Sequence, residues 1–151
     1  MKRPQRASAG LAVDDQASGP MRRSYRAQAR KRANTGPSAA TRELVAARAG
    51  GRCERCGTPA IGSHNLHHRS ARGRGGTKRD GVNEASNLLY LCGSGTTGCH
   101  GWVESHRALA YQLGLLVHSW DDPREVCVLV WTFLGNQRYF LTDDGRYVTG
   151  N

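Results

Sequence analysis

Between Cys53 and His100 the sequence places four cysteines and four histidines, side chains suited to holding a metal ion or moving a proton near neutral pH. In Cys53-Glu-Arg-Cys56-Gly57 two thiols stand two residues apart, and the glycine permits the tight turn that lets both sulfurs face one ion. Cys92 and Cys99 supply the other half of a four-thiolate structural zinc site. Their separation is longer than that of a second CxxC, but the insert Gly93-Ser-Gly-Thr-Thr-Gly98 is flexible enough to bring both sulfurs in. The alternative is four buried free thiols. A disulfide framework is not expected from an odd cysteine count with no export signal. Cys127, inside Glu125-Val-Cys-Val-Leu-Val-Trp131, has the neighbours of a strand core residue and no chemistry. His64, His67 and His68 fall between the cysteine pairs, and His100 follows Cys99 directly. His100 and Glu104 are at i and i+4 of an expected helix, so both can approach one ion.

The elements that must position these groups can be placed coarsely. Ser38–Ala49 reads as a short helix, with Pro37 before it and Gly50-Gly51 ending it. Asn65–His68 reads as a strand, Arg69–Gly81 as a Gly- and Arg-rich loop, and Asn87–Leu91 as a second apolar stretch leading into Cys92. One helix is expected from Cys99 to about Leu113, stopped by Gly114. At about 100° per residue, Trp102, Val103, His106, Leu109, Ala110 and Leu113 share its core stripe, whereas His100, Glu104, Arg107 and Tyr111 share another face. His106 is therefore read as structural. His118, after the short strand Leu115–Val117, carries no signal, and His64 is read as a solvated loop histidine rather than a phosphate contact. Beyond residue 119, Val126–Trp131 suggests a strand, and Arg138–Leu141, Asp143-Asp-Gly145 and Arg146–Val148 suggest a hairpin. That segment either packs on the preceding domain or docks onto a partner; the run Val126–Trp131 has to be buried either way.

Composition divides the chain. Its 22 Lys+Arg against 12 Asp+Glu give a net charge of +10, and only 25 of 151 residues are Leu, Ile, Val or Phe. A large hydrophobic core is excluded, since a fraction below roughly 20% with high net charge marks chains that bury too little to fold. Residues 1–42 carry ten basic residues and only Asp14 and Asp15 as acids, a net +8, with Leu11 and Val13 as their only large aliphatics. The expected organisation is a disordered basic arm over 1–37, a zinc-stapled domain over 38–118 and a short β appendage over 119–151, α+β in class. For the arm a polyanion-binding role is preferred over an organelle transit peptide, and Met21 stands as an alternative start. No run approaches the ~18 apolar residues of a membrane span, and no signal-peptide core is present. A membrane is not an expected partner, and a cytoplasmic location is expected.

The order CxxCG, His-His-Arg, Gly-Gly, Asn-Leu-Leu-x-Leu-Cys, Cys-His, covering about residues 41–118, resembles the HNH endonuclease family, whose nuclease unit is a ββα-metal fold. More narrowly it is similar to the small HNH proteins of tailed phages and prophages, often encoded beside packaging genes. The resemblance implies that His68 is the general base and that Asn87 ties the loop backbone and so orients it. His67 and His100 would be ligands of a catalytic divalent ion, with Glu104 a third ligand, a ligand through water, or a solvent-facing residue. The implied reaction is phosphodiester hydrolysis leaving 5′-phosphate and 3′-hydroxyl ends. The catalytic ion would be Mg²⁺, Mn²⁺, Ni²⁺ or Zn²⁺, with transition metals favoured by the imidazole ligands. The implied partner is DNA, expected to be double-stranded. A phage packaging protein, terminase or portal, is a further implied partner, and the host cytoplasm is the implied location. Beside such a site, Arg69, Arg72, Arg74, Lys78 and Arg79, interleaved with glycines, are read as phosphate contacts, with Arg69 nearest the scissile phosphate. The composition shows no aromatic-rich stacking platform, so stacking of single-strand bases is not expected and affinity should fall steeply with salt. Two rival readings are a non-catalytic zinc DNA-binding or packaging-accessory module and a site-specific restriction or homing nuclease.

Overall fold

A computed structural model describes residues 36–72 and 79–150, which belong to one compact unit. Arg74, Lys78 and the expected arm up to residue 35 lie outside the described residues. Helix α1, Ala39–Arg48, begins at Ser38, whose hydroxyl accepts from the Thr41 amide at 3.0 Å and so satisfies one of the first-turn donors. The cysteine turn follows, then strand β1 (His64–His68), a 3₁₀ turn (Ala85–Asn87) and strand β2 (Leu88–Cys92). β1 and β2 pair antiparallel in a register that sets His64 opposite Cys92 and His68 opposite Leu88. Helix α2 is Gly98–Ser105 and helix α3 is Arg107–Gln112. A separate antiparallel sheet, in the order β3-β4-β5, contains Val128–Thr132, Gly135–Leu141 and Tyr147–Val148. The result is a small α+β protein with two small antiparallel sheets.

Strand β2 is covered on both faces, which explains its unbroken apolar run. Leu88 turns toward Val45 of α1 and Ala85, with Leu66 and Tyr90 alongside. Leu89 and Leu91 enter a larger cluster with Val103, Ala110, Leu115, Val128, Val130, Tyr139 and Leu141. Of the two alternatives for residues 119–151, packing on the preceding elements is the one found: β3 and β4 supply four of the twelve buried residues of the main core.

α1 buries only Val45 and is held mainly by its last residue. The Arg48 guanidinium bonds both Glu54 oxygens, at 2.9 and 3.1 Å, and the carbonyls of Ala85 and Leu88, at 2.8 and 2.6 Å. Glu54, itself 1% exposed, also accepts from the Tyr90 amide at 2.6 Å and the Tyr147 phenol at 2.7 Å. This buried ion pair joins α1, the cysteine turn, β2 and β5, and it is hydrogen-bonded on every side, the condition under which such a pair is tolerated in a core.

The expected single helix over 99–113 is two helices. His106 leaves the helical region (φ −118°, ψ 47°) and its side chain is exposed, as is Leu109, so neither joins the core stripe. The hydroxyl of Ser105 explains the break. It bonds back to the carbonyls of Gly101 and Trp102 at 3.0 and 3.1 Å, and the His106 ring lies 3.0 Å from the same Trp102 carbonyl. Leu115–Val117 are buried but form no strand. Among the described residues no helix is long and apolar enough to cross a membrane.

Candidate metal centres and the histidine site

The sulfurs of Cys53, Cys56, Cys92 and Cys99 lie within 4.8 Å of one another, none of them in a disulfide, and could hold a metal ion. Cys56 and Cys92 approach to 3.8 Å, and the edge of a tetrahedron with metal–sulfur bonds of ~2.3 Å is about 3.8 Å. Burial pushes the thiols of Cys53 and Cys99 up, so without a cation both stay protonated at neutral pH. Arg55, between the first two cysteines, donates to Cys99 Sγ at 3.4 Å and lies over the Trp102 ring at 3.6 Å, bringing a positive charge to the sulfurs. The two halves of the cluster are shaped by backbone rather than slack. Gly57 is left-handed (φ 74°), and a Cβ there would overlap the Trp131 indole. The insert expected to be flexible is a tight turn, Ser94 and Thr97 exchanging amide–carbonyl bonds of 3.1 Å, and a Cβ on left-handed Gly93 would overlap the Thr97 carbonyl.

A second group forms from His67, His100 and Glu104, whose ligand atoms also lie within 4.8 Å of one another. His67 sits on β1 and the other two on α2, one turn apart as the i, i+4 spacing requires. His67 is buried, and its Nε2 lies 3.1 Å from the Leu115 carbonyl. A carbonyl only accepts, so Nε2 carries the hydrogen and Nδ1, 3.8 Å from Glu104 Oε1, keeps its lone pair. The rings of His67 and His100 meet edge to face at 5.0 Å. Desolvation, reinforced by His100, drives the His67 pKa down to about 3, and desolvation lowers that of His100 too. Both imidazoles are therefore neutral at pH 7, as metal ligands must be. His100 Nδ1 is buried with no hydrogen-bond partner, a polar atom for which a cation would account. Glu104 lies within reach of both imidazoles, with its side chain 41% exposed and also paired with Arg107 at 3.3 Å.

His68 follows at the end of β1, half-buried. Its Nε2 donates to Asn83 Oδ1 at 3.1 Å, which leaves Nδ1 as the basic nitrogen, and desolvation lowers its pKa so that the neutral ring prevails. Asn87 is fully buried and clamps the two ends of the β1–β2 connection: its Oδ1 accepts from the Ser70 amide at 2.7 Å, and its Nδ2 donates to the carbonyls of Val82 and Ser70 at 2.8 and 3.2 Å. Its own carbonyl accepts from the Arg69 amide at 2.9 Å.

The expectation for Arg69 has to be corrected. It is 0% exposed, and its guanidinium is spent on backbone carbonyls: Gly114 at 2.9 Å, Ser86 at 3.1 Å, Pro123 at 2.8 Å and Val126 at 2.6 Å. It cannot reach a phosphate. Arg72 is half-buried at the edge of the loop, and Arg79 donates to the Ser119 carbonyl at 2.6 Å. Cys127 stands just ahead of β3, half-buried beside Arg138 at 3.8 Å, rather than in the strand core. His64 stacks on Tyr90 at 4.9 Å as the first residue of β1, so it is not a loop residue.

Sequence reasoning missed Asn83, whose only signal is its place just ahead of the apolar second strand, and Arg55, whose signal is a cation set between two thiols. It also missed an aromatic row. The rings of Tyr111, His118 and Trp120 stack at centroid distances of 4.1 and 4.5 Å with planes 7° and 5° apart. A stacking platform therefore exists, assembled from single residues that composition does not reveal. Comparison with known proteins returned no matching family model, no matching curated protein and no matching solved structure.

Proposed function

We propose that the protein is a metal-dependent DNA endonuclease of the HNH type, acting on phosphodiester bonds of double-stranded DNA. The observation that supports this best is the convergence of His67, His100 and Glu104 at ligand distance, with His68, the next residue on β1, keeping an unprotonated nitrogen because its other one donates to Asn83. A protein using metal only as a staple needs the four cysteines, to which we assign zinc, and has no need of this second group.

A divalent ion held by His67, His100 and Glu104 would supply positive charge to the phosphate and to the leaving 3′ oxygen. His68 Nδ1 accepts a proton from the attacking water, and Asn83 stabilises the resulting imidazolium by accepting from Nε2. The Leu115 carbonyl fixes the His67 ring, and Asn87 fixes the backbone that follows His68, so neither ring has to be ordered by substrate. Both are positioning contacts. Arg72, half-buried at the edge of the connection, is the residue of the Gly- and Arg-rich stretch that we assign to the phosphate backbone.

Plasmid nicking with Mg²⁺, Mn²⁺, Ni²⁺ or Zn²⁺ added tests the reading. His68→Ala should lower the rate by about 100-fold or more while zinc content and far-UV circular dichroism stay as in the parent. Full activity in that variant refutes the base. A parent that binds plasmid but cuts it with none of the four ions is instead a DNA-binding module.

A further inference from the structure

The aromatic row has an open end. His118-Ser-Trp-Asp121 is a turn, closed by the Asp121 amide on the His118 carbonyl at 3.1 Å, and it folds Trp120 back over His118. Arg79 holds that turn through the Ser119 carbonyl. One face of the indole is therefore covered by His118, yet Trp120 is 78% exposed, so its other face is open. What distinguishes Trp120 from the other exposed apolar residues, such as Phe133 at 88%, is that its ring is held against a second stacked ring.

The row starts at the histidine site. Glu104, a member of the histidine group described above, meets Arg107 at 3.3 Å; Arg107 bonds the Tyr111 hydroxyl at 3.1 Å, and Tyr111 carries His118 and then Trp120. The backbone leading into the row is tied to the same place, because Leu115 accepts from His67 and the Val117 amide bonds the Arg69 carbonyl at 2.8 Å. Trp120 also borders a cleft of about 540 Å³, within the ~300–1,000 Å³ range of small-ligand sites. Five carboxylates line that cleft against Arg79 and Arg124, and Arg124 is already paired with Asp122 at 2.5 Å. Such a lining repels a phosphate. It suits a flat ring that offers amino groups to carboxylate acceptors, as adenine, cytosine and guanine do.

We propose that the open face of Trp120 stacks an unpaired nucleobase of the DNA strand held at the histidine site, so that the preferred substrate has a single-stranded region beside the cut. This rests on the nuclease reading and narrows its substrate from duplex DNA in general to DNA with an unpaired stretch. The stacked rings fix the indole before the base arrives, which lowers the ordering cost of binding.

The test is a binding titration of the full chain with a short labelled single-stranded oligonucleotide and with the blunt duplex of the same sequence, at one salt concentration and with no divalent ion added. Trp120→Ala should weaken the single strand about tenfold or more and leave the duplex unchanged. Trp120→Phe should retain most of the affinity, and Phe133→Ala, which removes an 88% exposed ring from the β3–β4 turn, should change neither probe. Equal losses on both probes, no loss, or the same loss from Phe133→Ala overturns the proposal. Because no step of this assay requires cleavage, it fails independently of the nuclease reading. A protein that binds single strands through Trp120 but never nicks plasmid keeps the stack and loses the nuclease. One that nicks plasmid and is indifferent to Trp120 does the reverse.

Discussion

Arg69 and His68 are neighbours with opposite fates. In sequence both belong to a basic, histidine-bearing stretch, and charge logic assigns the arginine to phosphate. Its burial depends on carbonyls at positions 114, 123 and 126, more than forty residues away, which no local pattern encodes. Desolvation lowers its pKa to about 10, with Arg48 adding to the effect, so it remains charged at neutral pH and needs its carbonyl partners. Arg69→Met leaves those carbonyls short of donors, at about 1–3 kcal/mol for each that stays unsatisfied. The expected result is a loss of about 3–5 kcal/mol in urea unfolding, with little change in the salt dependence of DNA binding measured on protein that is still folded. An unchanged urea midpoint with a shallower salt slope would return Arg69 to the phosphate. The loop-tying role expected of Asn87 came from the family resemblance alone, and its amide does bond the backbone at Ser70 and Val82.

At the level of elements, α1 was readable from Pro37 and Gly50-Gly51, and all the strands but Leu115–Val117 were placed to within three residues; the failures have named causes. The break between α2 and α3 is a side-chain competition, Ser105 and His106 both engaging the Trp102 carbonyl, which an apolar stripe cannot express. The glycine after Cys56 was expected to serve the turn alone. It serves packing as well, because the turn lies against Trp131 of β3, and the Trp131 amide donates to the Glu54 carbonyl at 2.7 Å. Gly57→Ala therefore meets two penalties, about 1–2 kcal/mol for a left-handed alanine and about 1–3 kcal/mol for overpacking. The expected outcome is a lower thermal midpoint together with faster zinc loss to a colorimetric chelator, since the turn carrying Cys53 and Cys56 has to shift. Normal zinc retention would show that the turn adapts without moving its sulfurs.

At the scale of the molecule, the low aliphatic content foretold a domain that its core alone does not hold, and the core that exists is completed by β3 and β4. Where those strands dock was illegible, because an apolar run and a hairpin turn mark the strands but not the face of β2 they cover. A structural zinc site is worth roughly 10 kcal/mol or more in apparent folding free energy, against a typical net stability of ~5–15 kcal/mol. Removing bound metal from the purified protein should abolish its cooperative thermal transition, followed by near-UV circular dichroism with metal content measured in parallel. A metal-free protein with an unchanged transition would make the four sulfurs ordinary core thiols. The sulfurs also have a topological effect. Cys56 and Cys92, 36 positions apart, close a loop that contains β1 with His67 and His68 and also Asn87, and closing a loop of that length costs about 3 kcal/mol of chain entropy plus a constant. Once the sulfurs are gathered, His67 and His68 no longer have to be brought from afar to meet His100, which is joined to Cys99 by one peptide bond. The histidine group is thereby assembled across a short span, between a closed ring that carries His67 and the helix that starts at its rim.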